Sequence, residues 1–359
     1  MRPALVLTSI LTLGCGREPG GPATGLRVAE PAPAAADTVP LHLGLMWPVL
    51  PGGDPPTAAE VALGAALFAD ARLSRDGTVS CRTCHLPEHG FADPRAVSVG
   101  VAGHAGTRNS QTLLNAVYFE SFGWTGEHPS LEAQTLAAMR NPEEMALGEA
   151  LPPDVLRDHG AQLEALYGGA DLEGAAAAIA SYQRTLVAGA SRFDRWIYGA
   201  EDVISESEKR GFEVYLGRAR CVQCHFMRSP ASHPFGGENG LYSDGRFHNI
   251  GVGFGPGAAT IDPGRFEVTN RSADYGAFKT PSLRNVELTA PYMHDGSLRT
   301  LEEVVEHYDK GGEPNPNLDP DIQPLKLTDQ EKADLVAFMK ALTSGSPPAT
   351  YGTTTIEEE

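Results

Sequence analysis

Cysteine is scarce in this chain, five among 359 residues. That is too few for the disulfide framework of a small secreted scaffold. Basic residues are also few, 28 Lys and Arg against 46 Asp and Glu, for a formal net charge of -18. Such a balance argues against a nucleic-acid partner, which needs a basic face. It suits a basic protein partner, although solubility alone accounts for it equally well. Strand-like alternation is rare, so the fold is expected to be mostly α with few or no strands. Beyond the N-terminus no stretch is long and apolar enough to cross a bilayer.

The N-terminal run, Pro3 to Leu13, is too short to span a membrane comfortably and reads as a secretory signal over residues 1–15. Thr12-Leu13-Gly14-Cys15 resembles a lipobox, with Thr12 where Leu is usual. Cys15 is therefore a candidate lipid anchor, against the plainer reading of an incidental cysteine in an ordinary signal. Export to the periplasm is expected, with membrane anchoring if Cys15 is lipidated. Residues 16–44 are rich in Gly, Pro and Ala and read as a flexible linker.

Helical spacing then appears over Thr57–Leu73, Ala175–Leu186, Glu206–Leu216 and Leu301–Tyr308. Thr328-Asp-Gln-Glu331 is a capping box that opens a last helix, with Leu335, Phe338, Met339 and Leu342 inward. Residues 227–279 read as a long loop, rich in Gly, Pro, Asn and Ser.

The remaining four cysteines form two C-x-x-C-H segments, Cys81 to His85 and Cys221 to His225, 140 residues apart. In such a segment both thiols add to haem vinyl groups, and the adjacent His lies beneath the iron. Zinc would need further ligands, and a redox dithiol would not need His in both copies. Two covalent c-type haems are therefore expected, on Cys81, Cys84 and His85 and on Cys221, Cys224 and His225. Helix, short connection and C-x-x-C-H occur twice. This predicts cytochrome c-like haem domains over 45–200 and 201–345, with a tail at 346–359.

Several further segments carry a resemblance: Gly64–Ser74, Arg108–Asn115, Lys279–Asn285 and Pro291–Gly296 followed by Thr300–Glu303. Together with the two pentapeptides they resemble the bacterial di-haem cytochrome c peroxidases and the related MauG-type di-haem oxidases. The resemblance runs from about Leu45 to Leu342. It implies a peroxidase with hydrogen peroxide as oxidant, reacting at the His85 haem. Electrons would enter from a redox protein or other donor through the His225 haem.

The resemblance also implies site residues. Trp124 matches a Trp between the haems. Gln134 and Glu144 match the distal pair of the reactive haem, where a carboxylate can move a proton between peroxide oxygens. Asn141–Glu144 alternatively has the features of a helix start, with Asn141 as N-cap and Pro142 at the first position. His104 is the nearest candidate for a His that blocks the reactive iron, though an exposed loop His explains it more simply. Tyr308 falls fourteen residues after His294, where the peroxidases place a Met ligand and MauG-type proteins a Tyr. A phenolate ligand would lower the potential of the His225 haem, which favours the MauG-like branch. Tyr308 as ordinary core, and Met293 or Met339 as ligand, are the rivals. Asn109, Thr289 and Pro291 match the family's calcium site. The alternative functions are a non-catalytic di-haem electron-transfer cytochrome and a haem-based sensor.

Overall fold

A computed structural model describes residues 43–45, 48, 50, 54–226, 240–254 and 261–344. The expected signal with Cys15, the linker as far as residue 42 and the tail at 346–359 lie outside the described residues.

Ten α-helices are found among the described residues. In chain order they are α1 (Ala58–Phe68), α2 (Cys81–Cys84), α3 (Leu131–Arg140), α4 (Pro153–Tyr167), α5 (Leu172–Arg184), α6 (Arg192–Ile197), α7 (Glu206–Leu216), α8 (Phe266–Thr269), α9 (Leu301–Lys310) and α10 (Asp329–Ala341). The strands are two short ones, β1 (Phe247–His248) and β2 (Phe278–Lys279), paired antiparallel with Phe247 opposite Lys279. The mostly α expectation holds. Helix starts follow local chemistry: Thr57, Ser205, Thr300 and Thr328 each close a capping box with a Glu three residues on.

Buried apolar side chains gather in two main clusters. One contains Leu67, Leu73, Met139, Leu163, Ile179 and Leu186. The other contains Phe193, Phe212, Tyr215, Leu335 and Phe338. Each is built on one close helix pair. Gly64 of α1 lies so near Ala178 O of α5 that a Cβ would collide with it. Gly211 of α7 meets Asp334 O of α10 in the same way. Glycine at these contacts lets the helix backbones touch.

A second repetition runs through residues 111–140 and 281–310, each position matched by one 170 later. Asn115 and Asn285 both take left-handed backbone, φ 62° and 60°, before a turn of 3-10 helix. Phe122 bridges to His128 as Tyr292 does to Leu298. Gly126 and Gly296 share φ 64°. Ser130 and Thr300 then cap α3 and α9, ten residues each.

The two copies interlock. Asn109 N donates to His294 O at 2.7 Å, and Lys279 N donates to Trp124 O at 2.8 Å. Lys279 is the 170-residue counterpart of Asn109, and His294 of Trp124. The contact is therefore reciprocal, as in an isologous interface.

The alternative reading of Asn141–Glu144 as a helix start does not hold; the segment is a turn that closes α3. Asn141 Oδ1 accepts from Glu143 N at 3.0 Å, and its Nδ2 donates to Glu144 Oε1 at 2.7 Å. The side-chain device that caps a helix also makes an Asx turn, and here the turn wins. The next helix begins at Pro153.

Candidate active site

One cavity of about 710 Å³ runs between the two repeated segments and is lined by both C-x-x-C-H pentapeptides. Cys81 and Cys84 sit on the single turn of α2, and Cys221 on a 3-10 turn after α7. Burial pushes the thiols of Cys81 and Cys221 up to about 12. Thiols held protonated are poor redox nucleophiles.

The two histidines are prepared in the same way. His85 Nδ1 lies 3.1 Å from Phe91 O, and His225 Nδ1 lies 2.9 Å from Tyr242 O. Donation to a carbonyl fixes each ring and leaves Nε2 for a metal. Burial lowers both pKa values, so the imidazoles are neutral, as iron ligation requires. Phe91 and Tyr242 both adopt φ 56° to present those carbonyls.

Cys224, Asp244 and His248 are the one cluster with metal-binding proximity among the described residues. Both ring nitrogens of His248 are already engaged, Nε2 with Asp244 at 2.9 Å and Nδ1 with Asp319 at 2.6 Å. Asp244 above all raises its pKa to about 11. An imidazolium clamped by two carboxylates has no lone pair for zinc.

Trp124, Gln134, Glu144, Tyr308, Asn109, Thr289 and Pro291 all line this same cavity. Trp124 Nε1 donates to Asn109 O at 2.7 Å, which sets the plane of the indole. Gln134 Oε1 is buried with no hydrogen-bond partner. A buried acceptor without a donor is costly, so the site fits a protic ligand or water beside α3. Glu144 lines the cavity and is exposed to solvent; the desolvation that remains still raises its pKa, and Asn141 partly offsets that.

Tyr308 is half-buried on α9 and lines the cavity. Burial raises its pKa, and the nearby Cys221 and Cys224 thiols add to this. It thus lies close to Cys221 and Cys224 of the second pentapeptide. Met293 and Met339 also line the cavity. His104 is exposed and does not line it. Asn109 Nδ2 is spent on Arg95 O and Ala96 O, both at 3.1 Å, which leaves its amide oxygen as the free donor atom for a cation.

The repeat exposes a residue that the motifs did not. The counterpart of Tyr308 is Ala138, on the matching turn of α3, and it also lines the cavity. Where the second half carries a phenol, the first carries a methyl group. The 170-residue spacing of Asn115 with Asn285 and of Gly126 with Gly296 was the available signal.

The model of the di-haem cytochrome c peroxidase family matches residues 58–202. The methylamine utilization protein MauG of Methylorubrum extorquens is 38% identical over 298 residues, 81% of this chain and 80% of that protein. This chain belongs to the di-haem cytochrome c peroxidase family. Cytochrome-c peroxidase IdrP1 of Denitromonas iodatirespirans is also 38% identical, over 350 residues, 88% of this chain and 89% of its own. Among solved structures, a MauG-like protein associated with microbial copper homeostasis superposes with TM-score 0.71 at 32% identity. The match covers 87% of this chain and 96% of that one. As a di-haem cytochrome c peroxidase the protein is an oxidoreductase with c-type haem, a peroxide oxidant and a redox partner.

Proposed function

We propose that this di-haem peroxidase works with one open and one closed iron. His85 would hold the first haem iron with space left beside it, and His225 with Tyr308 would hold the second, an arrangement that favours the MauG-like branch. The pair Ala138 and Tyr308 carries this reading: at matched turns of α3 and α9, one half offers a ligand and the other offers space. Haem supplies redox chemistry at each site when bound, attached through Cys81 and Cys84 and through Cys221 and Cys224. Glu144, its pKa raised, would move a proton at the pocket of the first site, and the unpartnered Gln134 Oε1 would accept a hydrogen bond from a ligand there. Trp124 is held from both halves, at Asn109 O and Lys279 N, and would relay charge between the bound haems. Asn109 Oδ1 with the carbonyls of Thr289 and Pro291 would hold calcium at the junction. Export belongs to the same reading, because thioether attachment takes place outside the cytoplasm. Cys15 is then the point of lipid attachment.

Adding hydrogen peroxide to the diferric protein tests the branch by optical and EPR spectra. A lasting spectral change without added reductant is the expected outcome. A requirement for prior half-reduction would assign the protein to the cytochrome c peroxidase branch. No reaction in either state would leave a plain electron-transfer cytochrome.

A further inference from the structure

Lys279 is a charged residue placed where a charge is expensive. Its side chain is 4% exposed, at the end of β2 and on the wall of the cavity. It has no ion pair among the described residues. Its Nζ donates to Ser121 O at 2.6 Å and stands 4.7 Å above the Phe119 ring and 5.8 Å from that of Phe122. Burial brings the amine down to about 8, with Glu127 as the one charge that raises it again. A carbonyl and two aromatic faces are a thin substitute for water around an ammonium. A Met would fill the same space without that penalty, so packing alone does not explain Lys here.

The partners of Lys279 share one destination. Phe119, Ser121 and Phe122 belong to the turn that ends at Trp124. The backbone of Lys279 holds the same turn from its other end, N–H to Trp124 O at 2.8 Å. One residue of the C-terminal half thus grips the Trp124 turn twice, across 158 residues of sequence for the ammonium contact. Its counterpart Asn109 holds His294 O through its N–H, but turns its side chain to its own half, onto Arg95 O and Ala96 O. The double grip is therefore specific to the Trp124 side.

We propose that Lys279 is a positioning residue for charge transfer between the two haems: it locks the Phe119–Trp124 turn so that the indole stays in register between the halves. This rests on the reading of Trp124 as the relay. Small displacements of a relay are costly to rate, so the effect falls on transfer rather than on either haem.

The test uses the two-haem protein and follows electron equilibration between the haems after one-electron photoreduction. Lys279→Met should slow equilibration on the order of tenfold or more, with the optical spectra of both haems unchanged. Lys279→Gln, which keeps a donor for Ser121 O, should recover most of the rate and carries the test if the Met variant loses haem. In a Trp124→Phe background, Lys279→Met should add nothing. A wild-type rate for Lys279→Met beside a slow Trp124→Phe overturns the role of Lys279 and leaves the relay standing. Additive slowing in the double variant also overturns it, since Lys279 would then act elsewhere. A wild-type rate for Trp124→Phe removes the relay reading itself.

Discussion

Tyr308 and Glu144 show how one residue type can be given a task by its surroundings. The phenol of Tyr308 resists ionisation where it stands, because burial and two neighbouring thiols both oppose a negative charge. A ferric ion in front of it inverts that balance, since a bound cation is the largest local charge. Tyr308→Met should therefore raise the potential of one haem and alter only its low-spin spectrum, checked by spectroelectrochemistry and EPR. If Met293→Leu produces that change and Tyr308→Met does not, the ligand has been misassigned. Glu144 keeps its proton to higher pH than an ordinary glutamate, because desolvation outweighs the hydrogen bond from Asn141. Glu144→Gln should lower peroxide turnover by roughly 10²–10⁴-fold while both haem absorbances persist; stopped-flow mixing with peroxide reads both. Wild-type turnover would remove Glu144 from the chemistry.

At the scale of elements, each cluster of buried side chains depends on a helix pair in backbone contact. Gly211→Ala would force Asp334 O away, and Gly64→Ala would do the same to Ala178 O. Each should cost about 1–3 kcal/mol of unfolding free energy, measured by chemical denaturation. The α7–α10 pair carries a pH-dependent tie as well. Asp334 accepts from Arg210 at 2.8 Å and 2.9 Å and from Ser207, chiefly the Arg210 bonds pulling its pKa down to about 2. A depressed carboxylate pKa adds stability above its unfolded value, and that stability is lost as pH falls toward the native one. Because Arg210 is half-exposed, screening leaves on the order of 1 kcal/mol. Asp334→Asn should be less stable than wild type near neutral pH and converge with it as pH falls through about 2. The elements were unevenly legible. α1, α5, α7 and α9 announce themselves through the spacing of their apolar residues, and α10 through its capping box. α3 does not, because only Leu131, Thr135 and Met139 are buried, while Gln134 and Ala138 face the cavity. A helix that turns one side to a cofactor pocket blurs its own apolar stripe. The turn at Asn141 left a helix start open as an alternative, since its capping residue serves a turn equally well.

For the whole molecule, a charge of -18 makes association with a donor sensitive to salt. Reduction by a basic donor protein should slow as ionic strength rises, and reduction by a neutral one should not. Stopped-flow reduction at several salt concentrations decides this. The site itself was readable because its residues sit in motifs with fixed spacing: all seven residues proposed beyond the pentapeptides meet at one cavity. What the motifs left out is Ala138, which carries no signature of its own and becomes visible only when the two copies are laid over each other; Lys279 opens a named motif, but its grip on the Trp124 turn is seen only in the structure. That duplication has a consequence for what the fold can evolve. Two separate copies of one chain, meeting through the bonds seen at Asn109 and Lys279, would be obliged to stay identical on both sides. Joined in a single chain, the copies are free to differ. Trp124 faces His294, Gln134 faces Val304 and Ala138 faces Tyr308 in the correspondence, and an enzyme with two unlike irons becomes accessible from one repeated plan.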